Sequence, residues 1–199
     1  MPPLPPVTKT LILICTAVFC LQTFVPQSLT MWLALWPVGS GLFGPWQVVT
    51  YAFLHGGLFH LFFNMLGLWM FGSELERVWG QKRYLQFLLA GALAAAVAQM
   101  AVTALTGSQN PTIGASGALF ALLLAFGMLF PNRQVMLLIP PIPMKARTFV
   151  VVFGALELLL GFMDRGDIAH FAHLGGMVGG FLMIRYWRRQ PPFGGRRRR

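Results

Sequence analysis

Ser116 stands in the run Gly114-Ala115-Ser116-Gly117-Ala118, near the mouth of an apolar stretch over residues 110–124. Small neighbours leave room for another backbone to approach, which suits a nucleophile. The spacing is not the Gly-x-Ser-x-Gly elbow of soluble hydrolases, because the second glycine follows at once. A hydroxyl is a weak nucleophile until a base accepts its proton. His173 can be that base. It lies in Ala172-His173-Leu174-Gly175-Gly176-Met177-Val178-Gly179-Gly180. His60 and Asn64 form the third group. They stand four apart and share one helix face. Two donors aimed at one point suit an oxyanion. Each group also has a plainer reading. Small residues pack membrane helices, and His and Asn link them by hydrogen bonds. His55 and His170 are read as interfacial residues with structural roles.

The elements that must position these groups are apolar spans. Of 199 residues, 56% are hydrophobic and 10% charged, where a soluble domain carries about 25% charged. Mean hydropathy is +0.67. The pattern predicts an all-α, polytopic bundle of six transmembrane helices, forming one domain over residues 1–199. The spans are residues 10–25, 58–71, 84–105, 113–130, 148–163 and 168–187. A short Pro-rich segment precedes them and an Arg-rich tail follows. The first span lacks an Ala-x-Ala-like cleavage site and reads as uncleaved. Residues 26–54 hold no charge but carry Trp32, Trp36 and Trp46, which predicts a loop in the membrane interface. Cys15 and Cys20 lie five apart in one span and cannot meet across it, so they read as packing or lipid-facing residues.

The net charge of +10 does not signal nucleic acid. The charges sit at the ends of spans and form no basic face with interleaved aromatics. One set of connections holds Lys9, Arg77, Lys82, Arg83, Arg133, Lys145 and Arg147, with Arg185, Arg188, Arg189 and the arginines at 196–199. The other set holds Arg165. The positive-inside rule then predicts that both termini are cytoplasmic. His60, Ser116 and His173 fall within roughly two helical turns of the outer boundary. Three separate spans thus bring polar groups to one depth.

An acid to orient the base is the remaining question. Glu157 lies inside the span 148–163, near the serine's depth. It can orient a histidine, or stay protonated and donate a hydrogen bond to a neighbouring helix. Asp164 and Asp167 lie in the turn before the last span. Asp167 is six residues from His173, which takes it off that face.

With Gly114-Ala115-Ser116-Gly117, Ala172-His173 followed by Gly176 and Gly180, and His60-x-x-x-Asn64, the chain resembles the rhomboid family of intramembrane serine proteases over nearly its whole length. The resemblance implies a Ser116–His173 dyad with no acid, so that removal of Glu157, Asp164 or Asp167 is expected to be tolerated. It implies an oxyanion hole from His60, Asn64 and the Ser116 N–H. It implies peptide-bond hydrolysis in or beside transmembrane segments, near the outer face of what is expected to be a bacterial inner membrane. The partners are then transmembrane protein substrates and the bilayer, with no nucleic acid, metal or organic cofactor. Two positions depart from the family pattern. Gln47 follows Trp46 where members often carry arginine, so the loop's anchoring is expected to differ. Phe120 stands one turn after the serine where some members carry tyrosine; it can pack on the histidine but cannot donate.

Three other readings compete. An inactive relative that binds membrane clients would lack the serine or the histidine, and this chain has both. A metalloprotease using His60, His170 and His173 would want a His-Glu-x-x-His pair, which does not occur. A channel or transporter would spread ionisable groups along a pathway, whereas here they cluster at one side.

Overall fold

A computed structural model describes residues 3–136, 141–163 and 170–189. The turn holding Asp164, Arg165 and Asp167, and the tail with its arginines at 196–199, lie outside the described residues, as does Pro140.

The first helix, α1 (Pro6–Phe24), starts with proline in its first turn, where no backbone N–H is needed. Its cap comes from far along the chain. The Glu76 carboxylate accepts hydrogen bonds from the backbone N–H of Val7 (2.9 Å) and of Thr8 (2.8 Å), and from the Thr8 hydroxyl (2.8 Å). A negative group at a helix N-terminus is favourable, and this one satisfies donors the helix leaves open. Pro26 stops α1 and opens α2 (Pro26–Leu33), the start of the first loop.

That loop is tied down by side chains. Trp46 donates through its indole to the Trp32 carbonyl at 2.7 Å, and the two rings stack. Gln47, buried at the head of the short α3 (Gln47–Thr50), donates to the Leu42 carbonyl and accepts from the Trp36 N–H.

Helix α4 (Leu58–Gly67) runs through a wider π-type turn, Leu68–Gly72, into α5 (Ser73–Thr106). The latter breaks at Gly80, whose φ of 75° is left-handed. Gly107, also left-handed, ends α5. Helix α6 (Ser116–Leu129) follows, then a two-stranded hairpin, β1 (Gln134–Met136) against β2 (Pro143–Lys145). Helices α7 (Ala146–Met163) and α8 (His170–Arg189) close the bundle.

A helix thus lies over each of the six predicted segments. Among the described residues, three helical stretches are long and apolar enough on their own to cross a membrane: Pro6–Phe24, Leu58–Thr106 and Ala146–Met163. Helix α6 is apolar but has 14 residues. It forms the middle of the bundle, with Ala118, Ala121, Leu122 and Ala125 buried against Phe87 and Ala92 of α5. By contrast only 11% of the apolar window of α1 or of α7 is buried. Large apolar side chains such as Phe24, Leu105 and Phe162 are turned outward, an arrangement that hydrocarbon rewards and water penalises.

The glycines of α8 split into two stripes. A Cβ at Gly176 would run into the Gly117 carbonyl, and one at Gly180 would touch Ala121, both on α6. A Cβ at Gly175 or Gly179 would strike Ala98 or Ala94 of α5. Helix α8 therefore has two close partners, α5 and α6.

Candidate active site

The chain delivers Ser116 through a fastened segment. Thr112 and Leu35 exchange two backbone hydrogen bonds of 2.9 Å, and the Gly114 N–H donates to the Tyr51 carbonyl at 2.9 Å. The Tyr51 hydroxyl in turn donates to the Ala92 carbonyl of α5 at 2.8 Å. Ser116 then opens α6, so its backbone N–H belongs to the first turn, where N–H groups lack intrahelical partners and the helix end is electropositive.

His173 reaches the serine because α8 presses on α6 one turn further along, at Gly176. Its Nε2 lies 2.7 Å from Ser116 Oγ. Phe120, one turn into α6, stacks flat on the imidazole with ring centroids 4.4 Å apart and planes 10° apart. The stack fixes the plane of the ring. The other edge of the ring meets Glu157 of α7, with Nδ1 2.8 Å from Oε2. The same Oε2 lies 2.7 Å from Nδ1 of His170.

This revises the expectation of a histidine without an acidic partner. His170, read from the sequence as interfacial with a structural role, is buried in the bundle. The sequence did hold a signal for that position: His170 and His173 are three apart and share a face. Their faces could not be matched to Glu157 without knowing how α7 packs on α8. His55, likewise read as interfacial, is buried too, and its backbone exchanges hydrogen bonds with the Gln22 side chain.

His60 sits in the first turn of α4. Its Nδ1 accepts from the Gly56 N–H at 3.2 Å, which leaves the hydrogen of the neutral ring on Nε2. That N–H is next to the serine's approach. A Cβ placed on Gly114 would be 2.8 Å from His60 Cε1 and Nε2 and 3.6 Å from Ser116 Oγ. Gly114 also has φ 121°, so the position requires glycine on two counts. Asn64, one turn after His60, is buried and donates through Nδ2 to the His60 carbonyl at 2.7 Å. Its Oδ1 has no partner among the described residues. Asn64 and Ser116 line one cavity of about 390 Å³, otherwise walled by apolar groups that include Phe63, Phe120, Phe149 and Phe153.

The four residues singled out from the sequence therefore converge. Ser116 and His173 are in direct contact, His60 flanks Gly114, and Asn64 shares the serine's cavity. Glu157, His170 and His173 offer ligand atoms within 4.8 Å of one another, the one group among the described residues with the composition of a metal site. His60 is not part of it.

Residues 43–190 match the family model for the rhomboid domain. The chain is 33% identical over 138 residues to rhomboid protease GluP of Bacillus subtilis, covering 69% of this chain and 25% of that protein. It is 32% identical over 141 residues to rhomboid protein 1, mitochondrial, of Saccharomyces cerevisiae, covering 68% and 40% respectively. With rhomboid protease GlpG of Klebsiella pneumoniae it shares 30% identity over 183 residues, covering 89% and 62%. The chain thus spans between a quarter and about three-fifths of the length of these curated relatives.

Proposed function

The chain belongs to the rhomboid family of integral membrane proteins, and from that premise we propose that it is a serine endopeptidase cutting peptide bonds in or next to transmembrane segments. The observation that carries the proposal is the 2.7 Å contact between Ser116 Oγ and His173 Nε2 at the wall of an apolar cavity. A nucleophile and a base in hydrogen-bond reach are what acyl transfer to an enzyme hydroxyl requires. The cavity's aromatic walls suit an apolar polypeptide.

The reaction proceeds as follows. The Ser116 hydroxyl donates its hydrogen bond to His173 Nε2. As Oγ bonds to the substrate carbonyl carbon, the proton passes to Nε2 and the carbonyl π pair moves onto oxygen. That oxyanion is met by the Ser116 N–H, the His60 Nε2–H and the Asn64 amide, aimed where charge develops. Collapse of the adduct breaks the C–N bond, and Nε2 returns its proton to the departing amine. Water then repeats the sequence on the acyl-enzyme, releasing the new carboxyl end and restoring the serine.

The proposed setting is a six-span bundle with both termini in the cytoplasm, in a bacterial inner membrane, with the reaction near the outer face. The helices over the six predicted segments and the bias of Lys and Arg to one set of connections support it. Partners are transmembrane protein substrates, and no cofactor is invoked.

The test is cleavage of a reporter transmembrane substrate by the purified chain beside Ser116→Ala and His173→Ala. Both variants should lose cleavage while still inserting into membranes, and a serine-directed fluorophosphonate should label the wild type at Ser116. Cleavage by Ser116→Ala would overturn the proposal. A wild type that neither cleaves nor labels would leave the chain as an inactive, client-binding relative.

A further inference from the structure

Glu157 is the only acid of α7, and its side chain is 13% exposed. A carboxylate in an apolar span is costly unless it finds partners. This one finds two imidazoles, both through the same oxygen. We propose that Glu157 is a positioning residue for the serine reaction, making the site a Ser116–His173–Glu157 array, with His170 as the second donor that steadies the carboxylate. The proposal rests on the protease reading above.

Three steps lead to it. An ionised carboxylate only accepts, so Nδ1 of His173 must carry the hydrogen that meets it. The lone pair of the neutral ring then lies on Nε2, facing the serine hydroxyl. That is the tautomer a general base needs. The stack on Phe120 cannot select it, because stacking fixes the ring's plane and not which edge faces the serine. The bond to Glu157 does. Finally, when Nε2 takes the serine's proton, a cationic ring stands beside a fixed anion. In a low-dielectric interior that attraction is much stronger than in water, and it is greatest when the charge has formed.

The spacing also favours hydrogen bonds over a shared metal ion. Two ligands held about 2.0 Å from one zinc in a tetrahedron lie roughly 3.3 Å apart. Here the nitrogen–oxygen separations are 2.7 and 2.8 Å, ordinary for charge-assisted hydrogen bonds.

The experiment compares wild type with Glu157→Gln, using the full chain in one detergent and one transmembrane substrate. The amide keeps size and polarity but can present its N–H₂ to Nδ1 and so favour the wrong tautomer. Loss of an orienting acid by this route can cost about 10⁴ in turnover. The expected result is a folded variant whose kcat falls by at least about 30-fold, with KM within about threefold of wild type. A smaller fall in kcat, or a change confined to KM, would reduce Glu157 to a packing role and overturn the proposal. It would leave the protease reading intact. An inactive wild type would instead overturn both. Where Glu157→Gln does not fold, nitrogen-15 spectra of the wild-type histidines decide the matter. His173 should carry its hydrogen on Nδ1, with that proton shifted far downfield; a ring protonated on Nε2 alone would overturn the proposal. A kcat lost to a chelator and restored by zinc would do the same.

Discussion

At the scale of single residues, the oxyanion donors are the most exposed assignment. His60 is committed by the Gly56 N–H to presenting Nε2–H, and Asn64 has one amide hydrogen on the His60 carbonyl and another to give. Removing one donor to a developing oxyanion typically lowers turnover by about 10²–10³. His60→Ala and Asn64→Ala should each lower kcat by about 10–10³ while Ser116 remains chemically reactive. Initial cleavage rates at saturating substrate measure this, and unchanged rates in both variants would return the pair to helix packing. These residues were legible because helical spacing and depth need no tertiary knowledge: His60 and Asn64 are one turn apart, and Ser116 and His173 begin spans from the same side. Glu157 was legible in depth but not in direction. Which face of α7 meets α8 depends on a packing angle that no local pattern in either helix encodes.

At the scale of elements, the junction of α6 and α8 sets the distance between Ser116 and His173, the proposed nucleophile and base. Gly176 is one turn beyond His173 and touches the Gly117 backbone, which itself follows Ser116. A methyl group there would have to displace one helix backbone from another. Overpacking of this kind costs about 1–3 kcal/mol, and a shift of about 1 Å in a reacting pair can cost about 10² in rate. Gly176→Ala should therefore lower the melting temperature and reduce cleavage by about 10² or more. Gly39→Ala is the control, since a Cβ there meets nothing within 4 Å; it should match wild type in both measurements. Equal activity of the two variants would mean that the α6–α8 contact does not hold the pair in register. Small-residue runs announced that α8 approaches closely. They could not announce that alternate glycines serve α5 and α6, because both stripes have the same composition.

At the scale of the molecule, the length of α6 determines what the site can accept. Its 14 residues rise about 21 Å, short of the roughly 30 Å of a bilayer's hydrocarbon core. On the proposed topology, with the far end of α6 at one face, Ser116 would lie roughly 9 Å below the other. The predicted span of residues 113–130 starts ahead of the helix, because the segment before Ser116 is held out of it by its bonds to Leu35 and Tyr51. A substrate helix meeting the serine at that depth hides each carbonyl carbon behind its own backbone hydrogen bonds. It must unwind before Oγ can attack. Unwinding is easier where helix propensity is poor, and glycine is about 1 kcal/mol and proline about 3 kcal/mol worse than alanine. Substrates with Gly or Pro near the outer boundary should be cut, and versions made Leu-rich there should be cut more slowly by about tenfold for each 1.4 kcal/mol restored to the helix. The measurement is the ratio of kcat/KM for matched substrates that differ only in that segment, in one lipid. Equal ratios would mean that the enzyme takes its substrate already extended, and that the depth of Ser116 serves to exclude bulk water rather than to select unstable helices.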